Sequence, residues 1–169
     1  MRTRLFGAIA LCLLAFSAPV APLMAQSGFM LTGPKDRDKV LNYRLRNDRA
    51  RAQSNSMDMY LPAQKLAVRE VQIILPDGYS GRIDPSRVEL SNKDTGAVFP
   101  LEDAAYEKED LTLTLSVKDP IPAGTPISIR LSNTANPDSG GIYRIRARTL
   151  GTERNPIFRY IGDWYVSIN

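Results

Sequence analysis

Between Leu111 and Val117 the chain reads LTLTLSV, with apolar side chains at the odd positions and hydroxyl side chains between them. A period of two sends alternate side chains to opposite faces of an extended strand, so this segment has one face to bury and one to wet. The same pattern recurs in PISIRL, where Ile127, Ile129 and Leu131 point one way. It recurs again in IYRIRARTL, with Tyr143, Ile145 and Ala147 inward, and in DWYVSI, with Trp164, Val166 and Ile168 inward. From Gly28 onward no long 3.6-residue period competes, and Pro, Gly, Asn and Asp break the runs at short intervals. Such a chain buries its strands against each other rather than under helices.

The remaining strands follow from the same reading. LAVREVQIIL at 66–75 is the longest β-branched run and ends in Pro76-Asp77-Gly78, a turn in which proline presets φ and glycine accepts positive φ. Met57, Met59 and Leu61 alternate before Pro62, and further short strands are expected at 87–91 and 97–101, with a first one at 29–32. The acidic connector EDAAYEKED at 102–110 is expected to form one helical turn. The expected fold is all-β, an antiparallel immunoglobulin-like β-sandwich of about 8–9 strands.

Arg2 and Arg4, the apolar run Leu5 to Phe16 and the small-residue and proline segment up to Ala25 form a secretory signal peptide. The apolar run is shorter than the ~20 residues that span a bilayer, and no later stretch approaches that length. Pro19 and Pro22 disfavour cutting after Ala18 or Ala21, so cleavage is expected after Ala25 although Leu23 is not small. Leu11 before Cys12 does not fit a lipobox. The expected organisation is a signal peptide at 1–25, a loop-rich basic segment at 26–56 carrying a short strand around Val40, Leu41, Tyr43 and Leu45, and a β-sandwich at 57–169.

Removing 25 of the 169 residues removes the single cysteine, and the chain has no histidine. A mature chain of this kind has no disulfide and no thiolate, and it lacks the ligands of ordinary zinc, blue-copper and haem sites. The Ser-His-Asp and Cys-His mechanisms are equally excluded. No cofactor or metal is expected, since calcium on loop carboxylates would lack the spacing of an EF-hand.

Without Arg2 and Arg4 the balance is 20 basic to 18 acidic residues, so net charge says little about partners. Its distribution says more. Residues 35–51 hold seven basic and three acidic side chains, and 102–110 hold five acidic and one basic. Arg144, Arg146 and Arg148 fall on one face of a strand about 7 Å apart, and Arg130 on the preceding strand is expected beside them. Such a ridge suits carboxylates, sulfates or phosphates. The plainer reading is a solvated face whose arginines pair with the acids of 102–110. No nucleic-acid partner is expected, because no stacking aromatics are interleaved with the basic segment. Trp164 with Tyr143, Tyr160 and Tyr165 is read either as a sugar platform or, by the alternation, as a core tryptophan with Tyr165 outside.

Three segments taken together carry a family resemblance: KLAVREVQIILPDGYSGRIDPSRVEL, PIPAGTPISIRLSNTANPDSGGIYRIRA and RYIGDWYVSI. From about Tyr60 to Asn169 the chain resembles the domain of unknown function 2808 family of exported cyanobacterial proteins. The resemblance implies export and a β domain and carries over no catalytic or binding residue. The periplasm, the exterior and the thylakoid lumen all remain open as destinations. The turn-then-strand pattern is also similar to small bacterial immunoglobulin-like domains, including copper-resistance sandwiches, whose histidine ligands this chain lacks.

The function expected is a non-enzymatic binding or structural module of the cell envelope that engages an anionic polysaccharide or an envelope protein through Arg130, Arg144, Arg146 and Arg148. The alternative is a carboxylate-dependent hydrolase of envelope polysaccharide, drawing on a pair among Asp77, Asp84, Asp94, Asp103, Asp138 and Asp163. A third reading has an exposed sheet edge accepting a partner's strand.

Overall fold

The computed structural model describes residues 39–169. The expected signal peptide, the strand at 29–32 and the start of the basic segment lie outside the described residues. Ten strands run in chain order: β1 Tyr43–Leu45, β2 Asn55–Leu61, β3 Val68–Ile74, β4 Val88–Asn92, β5 Val98–Phe99, β6 Leu101–Glu107, β7 Thr112–Ile121, β8 Ile127–Thr134, β9 Gly141–Gly151 and β10 Arg159–Ile168. They form two five-stranded antiparallel sheets, ordered β1-β2-β8-β4-β5 and β10-β9-β3-β7-β6.

The alternation drives this arrangement. Ile127, Ile129 and Leu131 from one sheet and Leu113, Leu115, Ile145 and Trp164 from the other are fully buried between the layers. Each such aliphatic side chain contributes about 1.5–3 kcal/mol on leaving water. Trp164, Val166 and Ile168 face inward as their spacing predicts. Leu111 and Tyr143, expected to share the inner faces of their strands, are instead half-buried at the margin of the core.

The strand count exceeds the expected eight or nine because the acidic connector is not a helical turn. It is most of β6, an edge strand. Leu101, Ala104 and Tyr106 pair with Val117, Leu115 and Leu113, and a bulge between Leu101 and Asp103 stretches the inward spacing to three at that point. The bulge breaks the period of two, and the carboxylates of Glu102, Asp103 and Glu107 mask the rest of it. Charge on an edge strand also discourages pairing with foreign chains.

Residues 39–54 are tied to both sheets. Val40 forms a parallel bridge to Asp163 in one sheet, while β1 pairs with β2 in the other. The Leu41 amide donates to the Asp163 carbonyl at 2.9 Å, and Trp164 Nε1 donates to the Asn42 carbonyl at 3.1 Å. Further along, buried Asn55 and Asn136 satisfy the irregular backbone of 47–52. Asn136 Nδ2 donates to the carbonyls of Asn47 and Arg49, both at 2.8 Å, and Asn55 Nδ2 donates to Asn47 O at 2.7 Å and to Asn136 Oδ1 at 2.8 Å. The two buried asparagines thus pair with part-buried carbonyls of this irregular path and with each other.

Candidate basic face

Alternation along β9 sends Ile145 and Ala147 into the core and Arg144, Arg146 and Arg148 to the outer face of their sheet. The strand is eleven residues long and lies between β10 and β3, so the three arginines form one column with a neighbour on each side. On the β3 side Arg148 is opposite Gln72 and Arg146 opposite Ile74. On the β10 side Arg146 is opposite Asp163, Arg148 opposite Tyr160 and Arg144 opposite Tyr165.

Asp163 organises the column. Its side chain points to the outer face, yet the residue is only 2% exposed. The strap at Lys39 and Val40 crosses β10 here, bridging to Asp163 and bringing the Lys39 ammonium to 5.6 Å from the Tyr160 ring centroid. Arg144 Nε donates to Asp163 Oδ2 at 2.6 Å, and the Tyr160 hydroxyl donates to the same oxygen at 2.9 Å. Arg146 Nε stands 3.8 Å from Asp163 Oδ1, an oxygen that is buried and accepts no hydrogen bond. The hydrogen bond to Asp163 raises the Arg144 pKa above its ordinary value. Desolvation, followed by the bond to Asp163, raises that of Tyr160. Arg148 forms no ion pair among the described residues.

The placement of Arg130 corrects an expectation. It does not sit beside the column, because β8 belongs to the other sheet and residues 135–140 carry the chain from one sheet to the other. On its own outer face Arg130 lies between Asp58 of β2 and Glu89 of β4, with Arg44 beyond Asp58. Its Nε donates to Asp58 Oδ1 at 2.8 Å, the principal cause of its raised pKa. Nor do the acids of 102–110 serve the column as counter-ions, since β3 and β7 separate β9 from β6.

The acids weighed for paired-carboxylate chemistry have separate positions. Asp84 Oδ1 accepts from the Ser86 amide at 3.1 Å and caps the short 3-10 turn Pro85–Arg87, while its Oδ2 accepts from Asn133. The Ser86 hydroxyl also donates to Oδ1, at 2.6 Å, and that bond first and the Asn133 bond next lower the Asp84 pKa. Asp138 faces Arg51 at 3.7 Å, and Asp163 is held as above. Asp77 and Asp94 lie exposed in turns and Asp103 exposed on β6. Among the described residues no group of three or more acids is placed to hold a metal ion, and no helix is long and apolar enough to cross a membrane. Trp164 is core, so it offers no face to a sugar.

The chain is similar in fold to several solved structures of low sequence identity. BslA, a bacterial hydrophobin, shares 12% identity over 77% of this chain and 92% of its own, with a TM-score of 0.50. The RrgA Jo.In complex matches at 14% identity over 73% and 76% of the two chains, with a TM-score of 0.43. The collagen-binding domain from a Staphylococcus aureus adhesin matches at 9% identity over 68% and 87%, with a TM-score of 0.38. The hydrophobin supports the sandwich architecture and nothing finer. No curated protein matches the sequence. Residues 30–168 match the family described as Protein of unknown function (DUF2808), and with nearly all of the sandwich inside that match the chain belongs to this family.

Proposed function

We propose that the protein is a non-enzymatic binding module of the cell envelope, exported by residues 1–25, whose β9 face grips an acidic polysaccharide or an acidic envelope protein. The observation that carries this reading is the single-file column Arg144, Arg146 and Arg148, with one carboxylate, Asp163, within ion-pair distance of it. Three guanidinium groups against one carboxylate leave an excess of positive charge on a strand paired on both sides. Arginine forks at ~7 Å intervals suit anions repeated along a polymer.

Retention of the purified protein on its own envelope fraction across a salt series tests the reading. The variants are Arg148→Ser and Arg146→Ser/Arg148→Ser, which leave Arg144 in place to seat Asp163. Wild type is expected to elute with rising salt, and the double variant to lose most of its retention. Equal retention of wild type and double variant, or none by either, sinks the proposed face. Mass analysis of the exported protein, expected to start at Gln26, tests the signal separately.

A further inference from the structure

At one end of the sandwich the turn after β3, the end of β6 and the residue before β7 border a half-open pocket of about 370 Å³, which the β9 arginines do not line. Its lining includes Tyr79, Gly81, Arg82, Tyr106, Lys108 and Leu111, and it contains two cations and no acid. The volume lies within the range of about 300–1,000 Å³ usual for small-molecule sites.

The pocket is built rather than left over. The turn Pro76 to Tyr79 closes with the Tyr79 amide donating to Pro76 O at 3.1 Å, and Gly78 takes φ 76°. The Tyr79 ring meets the Tyr143 ring edge-on at 5.5 Å, and the Tyr143 hydroxyl donates to the Ser139 carbonyl at 2.8 Å, so Tyr79 has a fixed backing. A Cβ at Gly81 would lie 2.6 Å from both the Tyr79 ring and the Ala135 carbonyl, so only glycine lets the chain pass this close. Arg82 is held by two backbone hydrogen bonds with Ala135, both 2.9 Å. Leu111 adopts φ 52°, a left-handed conformation that is costly for leucine. Its carbonyl accepts from the Leu75 amide at 2.9 Å. Backbone strain of this kind concentrates at ligand sites.

Ser80 Oγ in the lining accepts from the Asp138 amide at 2.9 Å, but the cations and phenols have no such partner. Among the described residues Arg82 and Lys108 form no ion pair, and the hydroxyls of Tyr79 and Tyr106 form no hydrogen bond. Burial pushes the Tyr79 phenol up to about 12; at neutral pH it keeps its proton, as any phenol does, and can donate a hydrogen bond.

We propose that this pocket binds an anionic sugar unit, with its ring against Tyr79 and Tyr106 and its carboxylate or sulfate on Arg82 and Lys108. Aromatic rings offer apolar surface to a sugar face, phenol hydroxyls exchange hydrogen bonds with its hydroxyls, and the two cations select for charge. Uronic acids and sulfated sugars share this chemistry.

Calorimetric titration of the full chain with trigalacturonate, a sulfated trisaccharide and uncharged cellotriose tests the site and tells the two sources apart. At least one anionic trisaccharide is expected to bind about tenfold tighter than cellotriose, with the tighter of the two naming the anion. Arg82→Gln is expected to weaken that binding about tenfold, since a charge-assisted bond is lost, and Lys108→Gln to weaken it less. Tyr106→Ala should abolish it, and the titrations are run on the Arg146→Ser/Arg148→Ser background, so that anions held by the β9 face do not contribute and the two sites succeed or fail separately. Arg82 and Lys108 are exposed, so their variants keep the fold. Equal affinity for charged and neutral sugars, no binding of either anion, or an Arg82→Gln/Lys108→Gln variant that binds like wild type would overturn the proposal.

Discussion

Arg130 and Arg146 hold equivalent positions, each pointing outward from an inner strand of a five-stranded sheet, yet their surroundings differ. Around Arg130 the cross-strand register lays out Arg44, Asp58, Arg130 and Glu89 in one row of alternating sign, all exposed but the half-buried Asp58. Around Arg146 the like charges run along the strand, and the opposing charge is concentrated in Asp163, buried under the strap at 39–40. The first face neutralises itself pairwise. The second spends one carboxylate on three cations and keeps an excess. The strand alternation is the same in both cases, so an arginine's availability to a partner is set by its cross-strand neighbours.

The largest expected difference between the faces lies in stability. Asp163→Ala removes a buried carboxylate that accepts two hydrogen bonds, a class of change that costs about 3–5 kcal/mol when both partners are buried. Here Arg144 is half exposed and rehydrates, so a loss of about 2 kcal/mol is expected in urea unfolding. Asp58→Ala breaks an exposed pair and should cost about 0.5 kcal/mol. Similar losses at the two sites would remove the distinction.

A sharper test isolates the pairs. Double-mutant cycles on Arg144 with Asp163 and on Arg130 with Asp58 should give couplings of about 1.5 and 0.5 kcal/mol. Raising salt to about 1 M, where screening acts within roughly 3 Å, should erase the second coupling and leave most of the first. If salt erased both, Asp163 would be behaving as a surface charge despite its burial.

Much of the sandwich was legible in the sequence, and the exceptions share a cause. Strands β7 to β10 announce themselves because Leu113, Leu115, Ile129, Ile145 and Trp164 keep a period of two beside polar neighbours. Strand β6 is hidden because its bulge shifts Ala104 out of step with Leu101. Arg144, Arg146 and Arg148 share a face because they share a strand, which spacing alone can tell. Arg130 was expected beside them on the assumption that consecutive strands are neighbours, but β8 and β9 lie in different sheets. From the sequence Asp163 stands only among the acids weighed for paired-carboxylate chemistry. Its pairing with Arg146 depends on a register shift between Tyr160 and Gly162, and its burial on a strap more than a hundred residues upstream. Tyr79, Tyr106 and Tyr143 are likewise brought together by tertiary structure, with no local signal. Periodicity reports faces, while neighbours come from topology.

The smallest expected effect probes the same contrast through a proton. The Tyr160 pKa is raised by desolvation and by its hydrogen bond to Asp163, whose negative charge opposes formation of a second anion. The folded value exceeds the unfolded one of about 10, so the stabilisation linked to this phenol is intact below that pH. It is lost as pH rises from there through the folded value, because the unfolded chain then releases its proton more readily. Asp163→Asn keeps the volume but removes the charge and frees Arg144 to favour the tyrosinate. Tyr160 is therefore expected to ionise at lower pH in that variant, as followed by nuclear magnetic resonance of labelled tyrosine rings, with Tyr160→Phe assigning the signal. Asp58→Asn on the opposite sheet should leave the Tyr160 titration unchanged. An unshifted Tyr160 in Asp163→Asn would mean that its hydroxyl is not engaged by Asp163 in solution, and the buried centre of the arginine column would then reduce to the pair with Arg144.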